Sequence, residues 1–168
     1  MFAARYLLMR VAELESLTVS FEPKLFPVWN GSGCHTNFST KTMRDGAKGM
    51  DYIHDMMKKM DAKHMTHMAL YGQDNHKRLT GIHETSPFDK FSYGAGNRAA
   101  SVRIPTQTMK DNGKGYIEDR RPASNIDSYV VSSIIYDTCV LEESQADEMV
   151  AHYKAWAKWL ETAPIEKP

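Results

Sequence analysis

Cysteine is scarce: Cys34 and Cys139 are the only two in 168 residues. That excludes a dense disulfide framework and suits a reducing, cytoplasmic setting. No apolar run approaches the roughly 20 residues of a membrane helix, and Arg5 and Arg10 interrupt the apolar N-terminus where a signal peptide needs an unbroken core. Without such a signal, Asn30-Gly31-Ser32 and Asn37-Phe38-Ser39 are chance matches to the N-glycosylation pattern. An excess of either charge is lacking too. The 21 Lys plus Arg balance 21 Asp plus Glu, so no global field recruits nucleic acid or an anionic membrane. There is no Walker A loop and no kinase Gly-rich loop. Gly94-Ala95-Gly96 is too short and badly placed for a dinucleotide fingerprint. Any nucleotide must be held by another architecture.

What is present is ordinary for a globular domain: 42% hydrophobic and 25% charged residues, in a chain long enough to bury a core. Phe2, Tyr6, Met9 and Leu14 recur at nearly helical spacing and predict an amphipathic helix over Phe2 to Leu17, without a capping residue before it. Val19 and Phe21 alternate with polar residues as in a strand, until Pro23 and Pro27. Strands are expected over Gly33 to Thr40, Ala99 to Pro105 and Gly115 to Arg121. Helices are expected over Met50 to Leu70, Ile126 to Leu141 and Gln145 to Thr162, the last with Met149, Tyr153, Trp156 and Leu160 on one side. The 11 methionines, mostly near Met50 to Leu70, read as gap-filling core. Tyr71 to Asn97 is polar and Gly-containing, and reads as a long functional loop; the tail from Pro164 reads as a frayed end. No internal repeat, low-complexity segment or linker is evident.

Strand alternation puts His35, Asn37 and Ser39 on one face, with Cys34, Thr36 and Phe38 on the other. It likewise groups Tyr116, Glu118 and Arg120. Glu118 beside Arg120 reads either as a surface ion pair or as a metal ligand next to an anion clamp. Five arginines fall between positions 78 and 121 (Arg78, Arg98, Arg103, Arg120, Arg121), and their planar forks suit carboxylate or phosphate. Each residue has a plainer reading as well. His35 alone is a hydrogen-bonded strand histidine, Glu84 a solvated loop acid, and Asp74-Asn75-His76-Lys77 a solvated loop edge. His64 and His67, three apart on a helix, could grip a metal but have no third ligand at matching spacing. Both cysteines read as structural.

Four segments, in order, then point to a family: Asn30-Gly31-Ser32-Gly33-Cys34-His35-Thr36-Asn37-Phe38-Ser39-Thr40-Lys41, Arg78-Leu79-Thr80-Gly81-Ile82-His83-Glu84-Thr85, Asn97-Arg98-Ala99-Ala100-Ser101-Val102-Arg103-Ile104-Pro105 and Gly115-Tyr116-Ile117-Glu118-Asp119-Arg120-Arg121-Pro122-Ala123-Ser124-Asn125. They resemble the signatures of glutamine synthetases, most closely the short eukaryote-type class. The similarity runs from Ala4-Arg5-Tyr6 to about Leu141. The resemblance implies a ligase that uses ATP to phosphorylate the side-chain carboxylate of glutamate, after which ammonia displaces phosphate to give glutamine. By motif position it implies that His35 and Glu118 hold Mg2+ or Mn2+, and that Asn37, Phe38, Ser39, Tyr116 and Ile117 contact ATP. Arg98 and Arg103 would neutralise phosphates, with Arg98 also counted as catalytic and glutamate-binding. Asn30, Gly31, Arg78 and Arg120 would hold glutamate. Glu84 would be catalytic, on a flap over Gly81 to Phe91 that closes the site and helps deprotonate ammonium.

The resemblance also implies a deficit. Set against the family, residues 1–168 are a partial catalytic domain, without the N-terminal β-domain, its catalytic aspartate, and the first strands with their further metal-binding glutamates. The expected fold is α+β: antiparallel strands forming part of a catalytic barrel, backed by helices, with an open sheet edge that invites pairing. Expected partners are glutamate, ammonia and ATP, and either further copies in stacked rings or a complementing N-terminal half. The alternative is a non-catalytic paralogue that joins full-length rings; a γ-glutamyl-polyamine ligase is more distant. Ser128 departs from the family, which usually has proline after the Asn-x-Asp.

Overall fold

The computed structural model describes residues 1–141 and 143–162; the expected frayed tail from Pro164 and the side chain of Leu160 lie outside what it describes. Seven α-helices and four strands are formed by the described residues. In chain order these are α1 (Phe2–Leu14), β1 (Thr36–Phe38), α2 (Lys41–Asp45), α3 (Gly49–Ala62), α4 (His64–Leu70), β2 (Tyr93–Ala95), β3 (Val102–Ile104), α5 (Thr106–Lys110), β4 (Ile117–Asp119), α6 (Ser128–Val140) and α7 (Ala146–Thr162). The α+β expectation holds. The strands form one open sheet in the order β1-β4-β3-β2. Both pairings of β4 are antiparallel, but β2 runs parallel to β3, which corrects the all-antiparallel expectation. Residues 96–101 carry the chain back to lie beside β2 instead of turning it as a hairpin.

The core lies between the sheet and the helices. Ile53, Met56, Met57 and Met60 of α3 and Met68 and Leu70 of α4 meet Val102, Ile104 and Ile117 from the strands and Val131, Ile134 and Ile135 from α6. Met43 joins them, so five methionines fill this core, as the gap-filling reading requires.

Other local expectations needed correction. The helix expected from Met50 to Leu70 is two helices, because Lys63 leaves the helical region at φ −104°, ψ 17°. No strand forms at Val19 and Phe21; α1 instead ends early, with Ser16 in the left-handed region. Only Ala12 of α1 is buried, while Leu7, Leu8, Val11 and Leu14 are exposed, so its apolar side packs on no core among the described residues. The loop from Tyr71 to Asn97 contains a 3-10 turn at Asn75–Lys77 as well as β2. Two short helices, α2 and α5, were not foreseen. Thr40 caps α2 by accepting from the Met43 amide, and Gly46 ends it in the left-handed conformation.

Candidate active site

The sheet register builds the site. Asn37 stands opposite Glu118 across the β1–β4 ladder, and Glu118 stands opposite Arg103 across β4–β3. Alternation along β4 sends Ile117, Asp119 and Arg121 inward, each at most 1% exposed, while Glu118 and Arg120 take the other face. There Arg120 borders a cleft of about 450 Å³ with Asn30, Gly31, Gly33, His35, Arg78, Arg98 and Arg103, roofed by His83, Glu84 and Thr85, while Glu118 contacts the lining residues His35, Arg103 and Arg120. His35 lies just before β1 and reaches Glu118, Nδ1 to Oε1, at 3.0 Å.

Glu118 is the hub. Its Oε1 also accepts from Arg120 Nη1 at 3.3 Å, and its Oε2 is 2.5 Å from Arg103 Nε. That last contact is ionic only: neither Oε2 nor Arg103 Nε has an aligned hydrogen-bond partner among the described residues, although both are buried. The surface ion-pair reading of Glu118 and Arg120 is therefore overturned, since their side chains are 8% and 10% exposed. Burial and then the Arg120 guanidinium depress the His35 pKa, which keeps the imidazole neutral and its lone pair available. A neutral imidazole beside a buried, unaligned carboxylate oxygen is a donor set that fits Mg2+ or Mn2+. It is part of a shell, since among the described residues no group of three or more His, Cys, Asp or Glu converges.

On the opposite wall, Arg78 is 4% exposed. Burial, then the nearby Arg120 charge, push its pKa down to about 10. A Cβ at Gly31 would collide with Arg78 Cγ, so glycine there makes room for the arginine stem. Arg120 Nη2 donates to the Glu84 carbonyl at 3.3 Å, joining floor to roof. Glu84 and His83 both sit in the left-handed region, at φ 59° and 55°, a conformation costing about 1–3 kcal/mol each for such residues. The Glu84 carboxylate meets Arg98 Nη2 at 2.9 Å, with both side chains more than half exposed, so this contact is weak. The flap is free only in part. Ile82 is 61% exposed, but Ser86 is buried, Phe88 packs on the core and its amide donates to the Leu79 carbonyl.

Besides Glu118, which lies behind the cleft lining, five sequence-predicted residues are not in this cleft. Asn37 and Phe38 line a separate, mostly apolar groove of about 610 Å³ against α6. Ser39 Oγ donates to the Gly115 carbonyl at 2.6 Å, Ile117 is core, and both backbone groups of Tyr116 meet the Thr108 hydroxyl. The histidine pair on α4 is not a metal grip. His64 uses Nε2 on the Phe88 carbonyl and Nδ1 on Arg121, and His67 is held by Tyr71 and Thr138. Both cysteines are free. Cys34 packs against the core, and burial, with Asp119 nearby, pushes the Cys139 thiol up to about 12. Sequence reasoning missed the network around Asp119 and Arg121 beneath Glu118, although the period of two along β4 points both residues inward.

The profile of the family described as "Glutamine synthetase, catalytic domain" matches residues 1–138. The chain is 54% identical over 144 residues to a glutamine synthetase of Agaricus bisporus, covering 85% of this chain and 40% of that protein. It is 54% identical over 140 residues to a glutamine synthetase of Neurospora crassa, covering 83% and 38%. It is 52% identical over 141 residues to the glutamine synthetase cytosolic isozyme 1-3 of Arabidopsis thaliana, covering 83% and 39%. It therefore spans about 40% of the length of the relatives it matches. By its motifs, its profile match and these identities, the chain belongs to the glutamine synthetase catalytic-domain family.

Proposed function

We propose that this chain forms one wall of the active site of a glutamate–ammonia ligase, which makes glutamine from glutamate, ammonia and ATP through γ-glutamyl phosphate. The observation that carries the reading is the convergence of His35, Arg103, Arg120 and Arg78 on one cleft, under a roof that holds Glu84, with the buried Glu118 in contact with the first three. A single buried carboxylate surrounded by cations is poor as a fold stabiliser but suited to a polyanionic ligand. Arg98 and Arg103 face the phosphates, while Arg78, Arg120, Asn30 and the backbone at Gly31 hold glutamate. The γ-carboxylate of glutamate attacks the terminal phosphorus of ATP and ADP leaves; ammonia then attacks the acyl carbon and expels phosphate. Arginine forks bind and orient both anions, and the closed roof keeps water from the acyl phosphate. The Glu84 carboxylate, once released from Arg98, binds ammonium and accepts its proton. His35 and Glu118 would hold Mg2+ or Mn2+, which when bound shields the charge on the phosphates. Asn37, Phe38, Ser39 and Tyr116 serve ATP at the β1–β4 end of the sheet, with the buried Ile117 beneath them.

The antiparallel strands are then a segment of a partial barrel completed by another polypeptide region, and the open edges of β1 and β2 are where it pairs. That partner is an N-terminal half of the same family or further copies in stacked rings. Two free cysteines and the "cytosolic" name of the Arabidopsis relative support a cytoplasmic protein; no helix among the described residues is long and apolar enough to cross a membrane. A second reading, a non-catalytic module that joins full-length rings, is favoured by the incomplete metal shell. The test is to mix the chain with the remaining portion of the Agaricus bisporus relative and measure glutamine and phosphate with Mg2+ or Mn2+. Restored coupled formation is expected, with none from the chain alone. A mixture that assembles and stays inactive favours the module.

A further inference from the structure

Asn75 opens the 3-10 turn behind the cleft and is 1% exposed, which overturns the solvated-edge reading for this residue. Its Nδ2 donates to the carbonyls of Tyr71 at 3.1 Å and Arg121 at 2.8 Å, and its Oδ1 accepts from Arg78 Nε at 3.2 Å. Only this amide orientation serves all three, since the flipped one sets an oxygen against two carbonyls and N–H against N–H. Arg78 Nη2 in turn donates to the carbonyls of Arg120 at 3.1 Å, Arg121 at 2.7 Å and Pro122 at 3.2 Å. Asn75 and Arg78 thus close on the same Arg121 carbonyl from two directions.

Two consequences reach the cleft. With Nε and Nη2 committed inward, Nη1 is the nitrogen of Arg78 turned toward Gly33, where a Cβ would lie 2.9 Å from it. The clamped carbonyls also belong to the segment from which Arg120 projects to Glu118 and to the Glu84 carbonyl. At 1% exposed, Asn75 cannot itself touch a ligand. Its effect must pass through the two arginines.

We propose that Asn75 is a positioning residue for both cleft arginines. It turns Arg78 so that Nη1 alone faces an incoming carboxylate, and it fixes the 120–122 backbone so that Arg120 is aimed before ligand arrives. The proposal rests on the ligase reading for the identity of that ligand, glutamate.

The experiment uses the whole chain labelled with 15N, with the Arg78 Nε–H signal assigned by its disappearance in Arg78→Lys. In the unsubstituted chain this proton should exchange far more slowly than that of exposed Arg98. Asn75→Ala should bring its exchange to the Arg98 rate. Glutamate binding should weaken roughly 10- to 100-fold, as expected for losing a hydrogen bond to a charged group, with ATP binding unchanged. A residue that only holds the turn would lower the melting temperature and leave both readouts alone; that result overturns the proposal. If Asn75→Ala does not fold, the unsubstituted chain still decides, because Arg98-like exchange of Arg78 Nε–H overturns the clamp. A slow Nε–H in a chain that takes up no glutamate, alone or with its complementing half, overturns the ligase reading and with it the ligand named here. Loss of glutamate and ATP binding together in a folded Asn75→Ala variant also overturns the proposal, because it denies the selective effect.

Discussion

Arg121 lies buried against Asp119, with its Nη2 2.7 Å from Oδ2 and its Nε 2.9 Å from Oδ1. Tyr71 and Phe91 carry their rings against the guanidinium, with centroids 5.1 and 5.2 Å from Cζ. Burial alone would raise the Asp119 pKa, yet the paired Arg121 holds it below the usual carboxylate range. Removing one member strands the other. Arg121→Met should therefore cost roughly 3–5 kcal/mol of stability, measured by urea denaturation of the chain. A loss below about 1 kcal/mol, the surface-pair range, would show that the pair is solvated.

His67 sits in the same network, and burial followed by the Arg121 charge lowers its pKa to about 3. Its unfolded value is near 6.5, so below that pH the unfolded chain takes up a proton that the folded one refuses. Stability from this group is complete above pH 6.5 and falls toward pH 3, by about 1.4 kcal/mol per unit at most. Asp119 acts in a more acidic window, because its unfolded carboxylate protonates only near 3.8. Unfolding midpoints from neutral pH to about 4.5 should thus decline less steeply in His67→Gln than in the unsubstituted chain. Equal slopes would remove His67 as the cause.

Arg120→Lys and Arg103→Lys separate the two substrates in a reconstituted enzyme. Lysine keeps the charge and loses the fork. The first substitution should raise KM for glutamate and spare ATP; the second should do the reverse. Equal damage to both KM values from each variant would defeat the division.

Glu84→Ala tests the roof. It removes the carboxylate but keeps the carbonyl that accepts from Arg120, so substrate binding should change little. Turnover should fall by at least about 100-fold, the low end for loss of a general base. Phosphate release should also outrun glutamine formation as water reaches the acyl phosphate. Phosphate and glutamine still formed one to one at near-normal rate would return Glu84 to the solvated loop acid of the plain reading.

Ser128 is the first residue of α6, after Asp127 caps it through the amides of Tyr129 and Val130. Proline is favoured at that position, where the helix requires no N–H donor. Ser128→Pro should stabilise the chain by about 0.4–1 kcal/mol by restricting the unfolded state. A lowered thermal midpoint would mean that the backbone there does not tolerate the ring.

Sequence by itself determined the helices α6 and α7, the helical character of the stretch that forms α3 and α4, and the inward and outward faces of β4, because these are written in local period. It also carried the motif order that brings His35, Glu118, Arg103 and Arg120 under suspicion. It did not carry the parallel pairing of β2 with β3, since strand direction follows from where a connection returns, not from the residues in the strand. Nor did it reveal Asn75. A lone asparagine in Asp74-Asn75-His76-Lys77 gives no local sign that three partners from distant segments will enclose it. The break at Lys63 follows from packing, as α4 turns to set His64 and His67 against Arg121. Periodicity is a property of neighbours along the chain. Burial of a polar group is decided by what arrives from elsewhere, and only the folded arrangement of α4, β4 and the 3-10 turn settles it.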